Sequence, residues 1–220
     1  ALAPASVQEM ADFVGLAFDL AFKYRNPAII LADGVIGQMM EKVVLPEQRP
    51  RLTNEEVMAR CPWATFGKLK HRGPNIVTSL ELDPAEMEKR NIHLQQKYAE
   101  IEEKEVRYEE IHCDDAEYLI VAFGSCARIA QKAMEEARAE GIKVGLLRPI
   151  TLWPFPSKAI AERSRQVKGI LTVELNAGQM VEDVRLAVEC KVPVEYFGRL
   201  GGIVPDPDEV VTALKEKIIK

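Results

Sequence analysis

The chain has 220 residues, enough for one large domain or two small ones, and its 47% hydrophobic and 29% charged residues are typical of globular proteins. Its formal net charge of −5 argues against nucleic-acid binding, which usually requires a surplus of basic residues. No apolar run reaches the roughly 18 to 20 residues that span a bilayer, and no signal segment opens the chain. We therefore expect a cytoplasmic protein that binds neither nucleic acid nor a membrane.

The four cysteines lie far apart and include no CxxC pair. This spacing supplies neither a zinc site nor an iron–sulfur cluster, and it does not indicate a disulfide framework. We expect reduced thiols. The basic residues Lys68, Lys70, His71 and Arg72 form either a solvated loop or an anion site, and short charge runs favour the loop.

The beginning of the chain contains one helix and a short apolar run. Ser6 and Glu9 form a capping-box signature at the start of the helix. Ala28–Ala32 is predicted as a buried strand, and the elbow Asp33–Met39 follows it. So few elements cannot bury a core of their own. Residues 1–46 are therefore either the end of a larger α/β domain or a segment packed on the C-terminal part.

Residues 47–114 are predicted to be a linker that ends in a long helix. The part up to Asp83 is irregular, polar and punctuated by prolines, as in a linker or a covering segment. Asp83 and Pro84 provide a helix start, and we expect the helix to run to about Ile111. The charged faces of this helix carry pairs at i,i+4: Glu86 with Arg90, Glu100 with Lys104, and Glu103 with Arg107.

Four short apolar runs alternate with helix-like runs in residues 115–220. Strands rich in Val, Ile and Leu that are joined by helices are typical of a parallel sheet buried on both faces, so the expected fold class is α/β. Ligands gather beyond the carboxyl ends of such strands, and the candidate site residues therefore lie in the elbows there. The predicted strands are Tyr118–Phe123, Lys143–Leu147, Gly169–Leu175 and Val192–Phe197, and the predicted helices lie at about 126–140, 157–167, 178–190 and 207–218.

The elbow after the second of these strands contains prolines and two large aromatic residues. The prolines hold an extended backbone between Arg148 and Pro156, from which Trp153 and Phe155 offer a large apolar area. This segment suits a protein–protein contact. The alternative is that both rings cover the core of their own domain.

Polar residues follow the third and fourth strands. One interpretation is that three of them face the mouth of the sheet: Glu174, Asn176 and Gln179. The alternative is a structural role, in which Asn176 caps the next helix. Arg199, in the last elbow, is expected to pair with Glu174 or to meet a partner or an anionic ligand.

The elbow after the first strand contains Gly124, which permits a tight turn, and Ser125, which can cap the next helix. The free amides there would suit an anion. Ser125, Cys126 and the three histidines do not form a nucleophile–base spacing. We assign no catalytic, cofactor-binding or metal-binding residue to this chain.

Several long motifs resemble a known family. The strings RPITLWPFP, VELNAGQMVEDVRLAVE and GRLGG are similar to the C-terminal domain of 2-oxoacid:ferredoxin oxidoreductase subunits, which itself resembles the C-terminal domain of transketolases. The segment from ASVQEM to AIILADGVIGQMME resembles the end of the family's pyrimidine-binding thiamine diphosphate domain. The connector and the string DDAEYLIVAFGSCARIA resemble the branched-chain (2-ketoisovalerate) type. The resemblance covers essentially the whole chain.

The resemblance implies an organisation and an activity. Residues 1–46 would be the remnant of a pyrimidine-binding domain, 47–114 a linker with a connector helix, and 115–220 a transketolase C-terminal-like domain. The enzyme would decarboxylate a 2-oxoacid on thiamine diphosphate, pass two electrons to ferredoxin and release an acyl-CoA. Thiamine diphosphate, magnesium and iron–sulfur clusters would belong to the assembled complex. The implied partners are a diphosphate-binding subunit and a ferredoxin-like subunit, with ferredoxin and coenzyme A binding to the complex.

One family motif is missing. A segment of the type Tyr-Pro-x-Thr-Pro does not occur in this sequence, so we expect the chain to be inactive alone. The elbow with Asp33, Gly34, Gln38 and Met39 is expected to face the partner subunit, or Asp33 simply caps a turn. Two other functions stay open: a non-catalytic assembly or anion-binding module of the same fold, and a thiamine-dependent transferase without electron transfer.

Overall fold

The computed structural model describes residues 1–65, 70 and 73–219 and has an α/β architecture. The basic run at 68–72 therefore lies outside the described residues, apart from Lys70. The elements in chain order are α1 Val7–Tyr24, α2 Gly34–Gln38, α3 Asn54–Arg60, α4 Pro84–Lys104, β1 Tyr108–Ile111, β2 Tyr118–Ala122, α5 Ser125–Ala139, β3 Val144–Pro149, α6 Ser157–Arg163, β4 Ile170–Glu174, α7 Met180–Val188, β5 Val194–Gly198, α8 Pro207–Leu214 and a π-helix Lys215–Ile219.

The chain divides into two compact units. The first comprises Ala1–Leu45 and Tyr98–Lys220, and the second comprises Pro46–Lys97. The second unit contains α3, a short helix that the sequence analysis did not predict. Its start is a capping box in which Thr53 and Glu56 exchange hydrogen bonds of 3.2 and 2.8 Å.

A five-stranded sheet forms the centre of the first unit, in the order β1-β3-β2-β4-β5. Strands β2 to β5 run parallel as predicted, whereas β1 is antiparallel at the edge. In β2, Ile120 and Ala122 pack towards α5 and α8, and Leu119 and Val121 pack towards α6 and α7. The predicted strands and helices of residues 115–220 are thus confirmed, with bounds that shift by a few residues.

Tyr108–Ile111 form strand β1, although their sequence suggested the end of the connector helix. In the antiparallel pairing with β3, Glu109 lies opposite Arg148, and Glu110 forms an ion pair with Arg163 at 2.6 Å. The helix prediction was wrong here because strand pairing and cross-strand charges override a weak local preference.

The predicted strand Ala28–Ala32 is also wrong. The segment contributes a single bridge, between Leu2 and Ile30. The adjacent side chains of Ile29 and Leu31 are 57% and 50% exposed, so the apolar run does not mark a buried strand. The buried residue is Leu2, whose N–H donates to Ile29 O and whose carbonyl accepts from Leu31 N, both at 2.8 Å.

The N-terminal residues join this segment to the end of β3. Ala3 N donates to Ile150 O at 2.8 Å, and Leu152 N donates to Ala1 O at 2.9 Å. These backbone hydrogen bonds are made by residues far apart in sequence, so they are tertiary contacts. Residues 1–45 belong to the same compact unit as the sheet.

Helix α1 is attached to the sheet by an ion pair. Arg148 of β3 is 7% exposed and donates two hydrogen bonds to the Glu9 carboxylate, at 2.6 and 3.0 Å. Two parallel hydrogen bonds fix the orientation of both groups. The sequence had indicated Glu9 only as a capping residue. Its carboxylate does accept a hydrogen bond from Ala5 N, at 2.7 Å.

Glu105 provides a second charged link to α1 and is 6% exposed. Its carboxylate accepts hydrogen bonds from Lys23 Nζ and Tyr24 Oη, each at 2.6 Å, and from Arg107 Nη2 at 3.0 Å. Burial alone would raise the pKa of Glu105, but these three hydrogen bonds outweigh it and lower the pKa to about 2. Arg107 therefore pairs with Glu105 and not with Glu103 as expected.

Replacing Glu105 by glutamine is expected to destabilise the protein and to change its pH dependence. A neutral amide accepts weaker hydrogen bonds, so we expect a loss of about 1–3 kcal/mol in the free energy of unfolding at neutral pH. Because the pKa of Glu105 is lower in the folded than in the unfolded state, its contribution is full above about pH 5 and fades as the pH falls towards 2. Urea denaturation at neutral and acidic pH measures both effects.

Glu100→Gln is the matched control for Glu105→Gln. Glu100 forms an exposed ion pair with Lys104 at 2.8 Å, and such pairs contribute little to stability. The control should therefore change the free energy of unfolding far less. Equal losses in the two variants would contradict the role assigned to Glu105.

Candidate functional site

Asp33 lies at the carboxyl edge of the sheet, a position that the sequence analysis predicted only for the elbows of residues 115–220. Its Oδ1 accepts hydrogen bonds from Val35 N and Ile36 N, both at 3.0 Å, and so caps α2. Its Oδ2 accepts a hydrogen bond from Ser125 N at 2.8 Å, at the start of α5. One carboxylate therefore serves two helix N-termini, where negative charge is favoured.

This contact depends on the residue before α5. Gly124 has φ +61°, and a Cβ there would lie 2.8 Å from Asp33 Oδ2, so glycine is required for both conformation and space. Gly124, rather than Ser125, occupies the N-cap position, which corrects the expected cap. The buried Ser125 hydroxyl has no hydrogen-bond partner among the described residues. The anion expected at this turn is a side chain of the same chain.

Glu174 occupies the N-terminus of α7 in a similar way. The residue is 1% exposed, and its Oε2 accepts hydrogen bonds from Gln179 N at 3.1 Å and Met180 N at 2.8 Å. Its Oε1 accepts a third, from Val181 N at 3.0 Å. The hydrogen-bonding needs of a carboxylate buried at the end of a strand are thus met by the amides of the next helix.

Asn176 and Arg199 have partners other than those expected. Asn176 Oδ1 accepts a hydrogen bond from Gly178 N at 2.7 Å, so it closes the turn before α7 and does not cap the helix. The Arg199 side chain pairs with Glu209 of α8, and only its backbone N–H contacts the Glu174 carbonyl, at 3.3 Å. Of the two alternatives for Arg199, the ion pair with Glu174 is wrong, since amides occupy the Glu174 carboxylate and the Arg199 side chain pairs with Glu209. A contact of Arg199 with a partner or an anionic ligand stays a prediction.

The elbow around α2 packs against α5. Gly34 begins α2 and Gln38 ends it, and both are exposed. Met39 Sδ lies 3.4 Å from Arg128 Nη1, a nitrogen that also donates to Glu41 at 2.6 Å. Part of this elbow is thus held within the unit, and a contact of Gly34 and Gln38 with a partner stays a prediction.

The two aromatic residues after β3 have different environments. Phe155 is half-buried and packs against the core on the α6–α7 side of the sheet. Trp153 is 40% exposed and meets the Tyr98 ring edge to face, with centroids 5.8 Å apart. Phe155 therefore covers the core of its own unit, and Trp153 presents apolar area at the surface.

A cavity of about 130 Å³ lies at the mouth of the sheet, between the Asp33 elbow and the ends of β2 and β4. Cys126 lines it, and burial, with a smaller contribution from the Asp33 and Glu174 carboxylates, raises the pKa of its thiol to about 12. A thiol with this pKa is protonated at neutral pH and a poor nucleophile. The cavity therefore offers shape and fixed charge, and its thiol is chemically inert.

No group of three His, Cys, Asp or Glu side chains in the described part of the chain is arranged to hold a metal ion. No helix within these residues is long and apolar enough to cross a membrane.

The sequence did not predict the long-range partners of two carboxylates, Glu9 and Glu105. Their partners Arg148 and Tyr24 are 139 and 81 positions away along the chain. No local spacing can report such pairs. The one available signal was that Arg148 directly follows a run predicted to be buried, since a buried charge requires a partner.

Two family models match adjacent parts of the chain. The model described as pyruvate flavodoxin/ferredoxin oxidoreductase, thiamine diP-binding, matches residues 1–111. The model described as pyruvate:ferredoxin oxidoreductase core domain II matches residues 116–210. Together they account for most of the chain.

Similar proteins agree with these matches. The chain is 48% identical to ketoisovalerate oxidoreductase subunit VorB of Methanothermobacter thermautotrophicus, over 98% of this chain and 59% of that protein. It is 30% identical to 2-oxoglutarate synthase subunit KorA of Methanothermobacter marburgensis, over 97% of this chain and 62% of that protein. Among solved structures, it resembles a 2-oxoglutarate:ferredoxin oxidoreductase from Magnetococcus marinus with a TM-score of 0.74 at 21% identity, over 98% of this chain and 41% of that one.

The chain thus spans about three fifths of the length of the curated relatives it matches. The structural likeness, at 21% identity, shows a shared fold. The thiamine diP-binding model extends over half of the chain, in agreement with the motifs quoted from its sequence. The chain therefore belongs to the pyruvate flavodoxin/ferredoxin oxidoreductase family.

Proposed function

We propose that this chain is part of a subunit of a thiamine diphosphate-dependent 2-oxoacid:ferredoxin oxidoreductase that acts on a branched-chain 2-oxoacid. The observation that carries the proposal is the difference in identity between relatives. The chain is 48% identical to a ketoisovalerate oxidoreductase subunit but about 30% identical to 2-oxoglutarate synthase subunits, over nearly the same extent of sequence.

The overall reaction balances with coenzyme A and two one-electron acceptors. A 2-oxoacid, coenzyme A and two oxidised ferredoxins give an acyl-CoA, carbon dioxide, one proton and two reduced ferredoxins. Thiamine diphosphate supplies the electron sink that makes decarboxylation possible. The electrons leave through iron–sulfur clusters that we place on other subunits.

The mouth of the sheet, at the N-termini of α5 and α7, does not fit the diphosphate group. Helix N-termini are the usual phosphate sites, but the Ser125 amide donates to Asp33, and the first amides of α7 donate to Glu174. A diphosphate there would have to displace these carboxylates and would leave the buried Glu174 without donors. We therefore place the diphosphate and its magnesium on a partner subunit, and we derive no reaction step from residues of this chain.

The role proposed for this chain is to support assembly. Helix α1 exposes Val14, Phe18 and Phe22, whose exposures of 48%, 62% and 51% suit a helix that packs against further chain or another subunit. The proposed parts are 1–46, the end of a pyrimidine-binding domain, 47–114, a connector, and 115–220, a transketolase C-terminal-like domain. The two family models change over between residues 111 and 116, close to the last of these boundaries.

The proposed partners are a diphosphate-binding subunit and a ferredoxin-like subunit, with ferredoxin and coenzyme A meeting the assembled complex. The proposed setting is the anaerobic cytoplasm, because iron–sulfur clusters and reduced thiols persist there. The free cysteines of the described residues are consistent with it.

Activity of the assembled enzyme tests the proposal. The full-length subunit would be co-produced anaerobically with the products of neighbouring genes, and viologen reduction would be followed with coenzyme A and either 2-ketoisovalerate, pyruvate or 2-oxoglutarate. We expect thiamine diphosphate-dependent turnover with the highest kcat/KM for 2-ketoisovalerate. Preference for another acid would overturn the branched-chain assignment. No turnover by an intact, cofactor-loaded complex would overturn the enzymatic role.

Glu174→Gln separates a structural from a catalytic role at the mouth of the sheet. We expect the loss of charge to reduce the free energy of unfolding by about 1–3 kcal/mol, since three amide donors lose a charged acceptor. The kcat per intact complex should stay within about twofold of the unaltered enzyme, because a group without a catalytic role does not contribute to transition-state binding.

Glu182→Gln, an exposed change on the same helix, is the control for stability. Thermal unfolding and turnover would be measured on the same preparations of both variants. A drop in kcat of a hundredfold or more in an intact Glu174→Gln complex, roughly the effect of losing an acid–base group, would show that Glu174 takes part in the chemistry.

A further inference from the structure

A second cavity lies away from the mouth of the sheet, where the segment after β3 passes the end of α4. It has a volume of about 530 Å³ and opens along the surface. Tyr108, Trp153, Phe155 and Pro156 line its floor. Tyr108 and Trp153 are 44% and 40% exposed, so the aromatic floor is accessible. Below, this cavity is called the aromatic groove.

The floor of the aromatic groove is held in place by its surroundings. Phe155 packs against the core, Pro156 is buried, and the Trp153 ring rests against Tyr98. Tyr108 begins β1 and is paired with Pro149 of β3. A ligand would therefore meet a preformed apolar surface and would not need to order it first.

The rim of the aromatic groove is acidic. Glu102, Glu103 and Glu162 line it together with a single cation, Lys158. Among the described residues, none of the three glutamates forms an ion pair within 4 Å. Helix α4 ends before Arg107, which turns to Glu105, and Glu103 is left without the partner that helical spacing would have given it. Three carboxylates against one ammonium leave a negative rim around an apolar floor.

We propose that the aromatic groove binds an extended, proline-containing segment of another polypeptide that carries lysine or arginine beside the proline. Polyproline II segments dock into grooves floored by Tyr, Trp and Pro because they are pre-organised and present apolar ridges. Acidic residues at the rim select a basic flank and orient it. This proposal does not depend on the proposed reaction, since it rests on the surface alone.

A peptide titration tests the proposal with the full-length subunit that contains this chain. The probe is a fluorescein-labelled peptide of sequence APPLPRK, and its anisotropy is followed at low ionic strength. We expect saturable binding that weakens as salt is added, because charge contributes to it. The charge-reversed peptide APPLPEE and the proline-free peptide ASSLSRK should bind at least roughly fivefold more weakly.

Matched substitutions locate the binding. Glu103→Gln and Glu162→Gln should each weaken binding of APPLPRK roughly two- to fivefold, whereas Glu216→Gln, an exposed change outside the groove, should leave it unchanged. Circular dichroism would confirm that each variant is folded. Equal binding by the groove variants and the control would overturn the proposal, as would no binding of APPLPRK at about 1 mM. Self-association of the subunit that Trp153→Ala abolishes would identify a second copy as the occupant and would likewise overturn it.

Discussion

The hydrogen bond from the Ser125 amide to Asp33 ties the first part of the chain to the carboxyl edge of the sheet. Gly124 allows it by leaving the space that a Cβ would fill, and Asp33 at the same time caps α2. At the neighbouring strand end, Glu174 binds three amides at the start of α7. Both carboxylates thus occupy positions at which related folds can hold phosphates.

Because Asp33 and Glu174 occupy these amides, the mouth of the sheet has few free donors for an anionic ligand. A carboxylate that accepts three amide hydrogen bonds has little hydrogen-bonding capacity left for a ligand. The Cys126 thiol beside them is held protonated by burial. The hydrogen bonds of Asp33 and Glu174 thus hold the ends of β2 and β4 and the Asp33 elbow in fixed relative positions.

Two further charged contacts complete the attachment of α1. Arg148 donates hydrogen bonds to Glu9. The Glu105 carboxylate accepts hydrogen bonds from three side chains, those of Lys23, Tyr24 and Arg107. Each buried charge has a partner, as burial requires. Because Arg107 pairs with Glu105, the carboxylate of Glu103 is left without this partner. The Arg107–Glu105 ion pair therefore contributes to the negative charge at the rim of the aromatic groove.

The strands and helices of residues 115–220 follow from apolar runs and turn residues, because burial on both faces of a parallel sheet leaves a clear pattern. Local patterns failed where partners come from elsewhere. The sequence predicted Tyr108–Ile111 to be helical, but this segment pairs with β3 as a strand. It predicted Ala28–Ala32 to be a buried strand, but Ile29 and Leu31 are exposed and Leu2 is the buried residue. Of the polar candidates, the sequence located Glu174 correctly at the sheet edge, whereas it expected Asp33 to face a partner subunit or to cap a turn. It could not show that amides satisfy them, or that Arg199 turns to Glu209, because those partners depend on tertiary geometry.

Amide hydrogen exchange in the purified complex tests most directly whether the mouth of the sheet is closed by its own carboxylates. The Ser125, Met180 and Val181 amides would be followed with and without thiamine diphosphate and magnesium. We predict slow exchange of all three amides in both conditions, since Asp33 and Glu174 already accept their hydrogen bonds. Fast exchange that slows only when thiamine diphosphate is added would show that these helix N-termini are free to receive the cofactor, and would contradict the account.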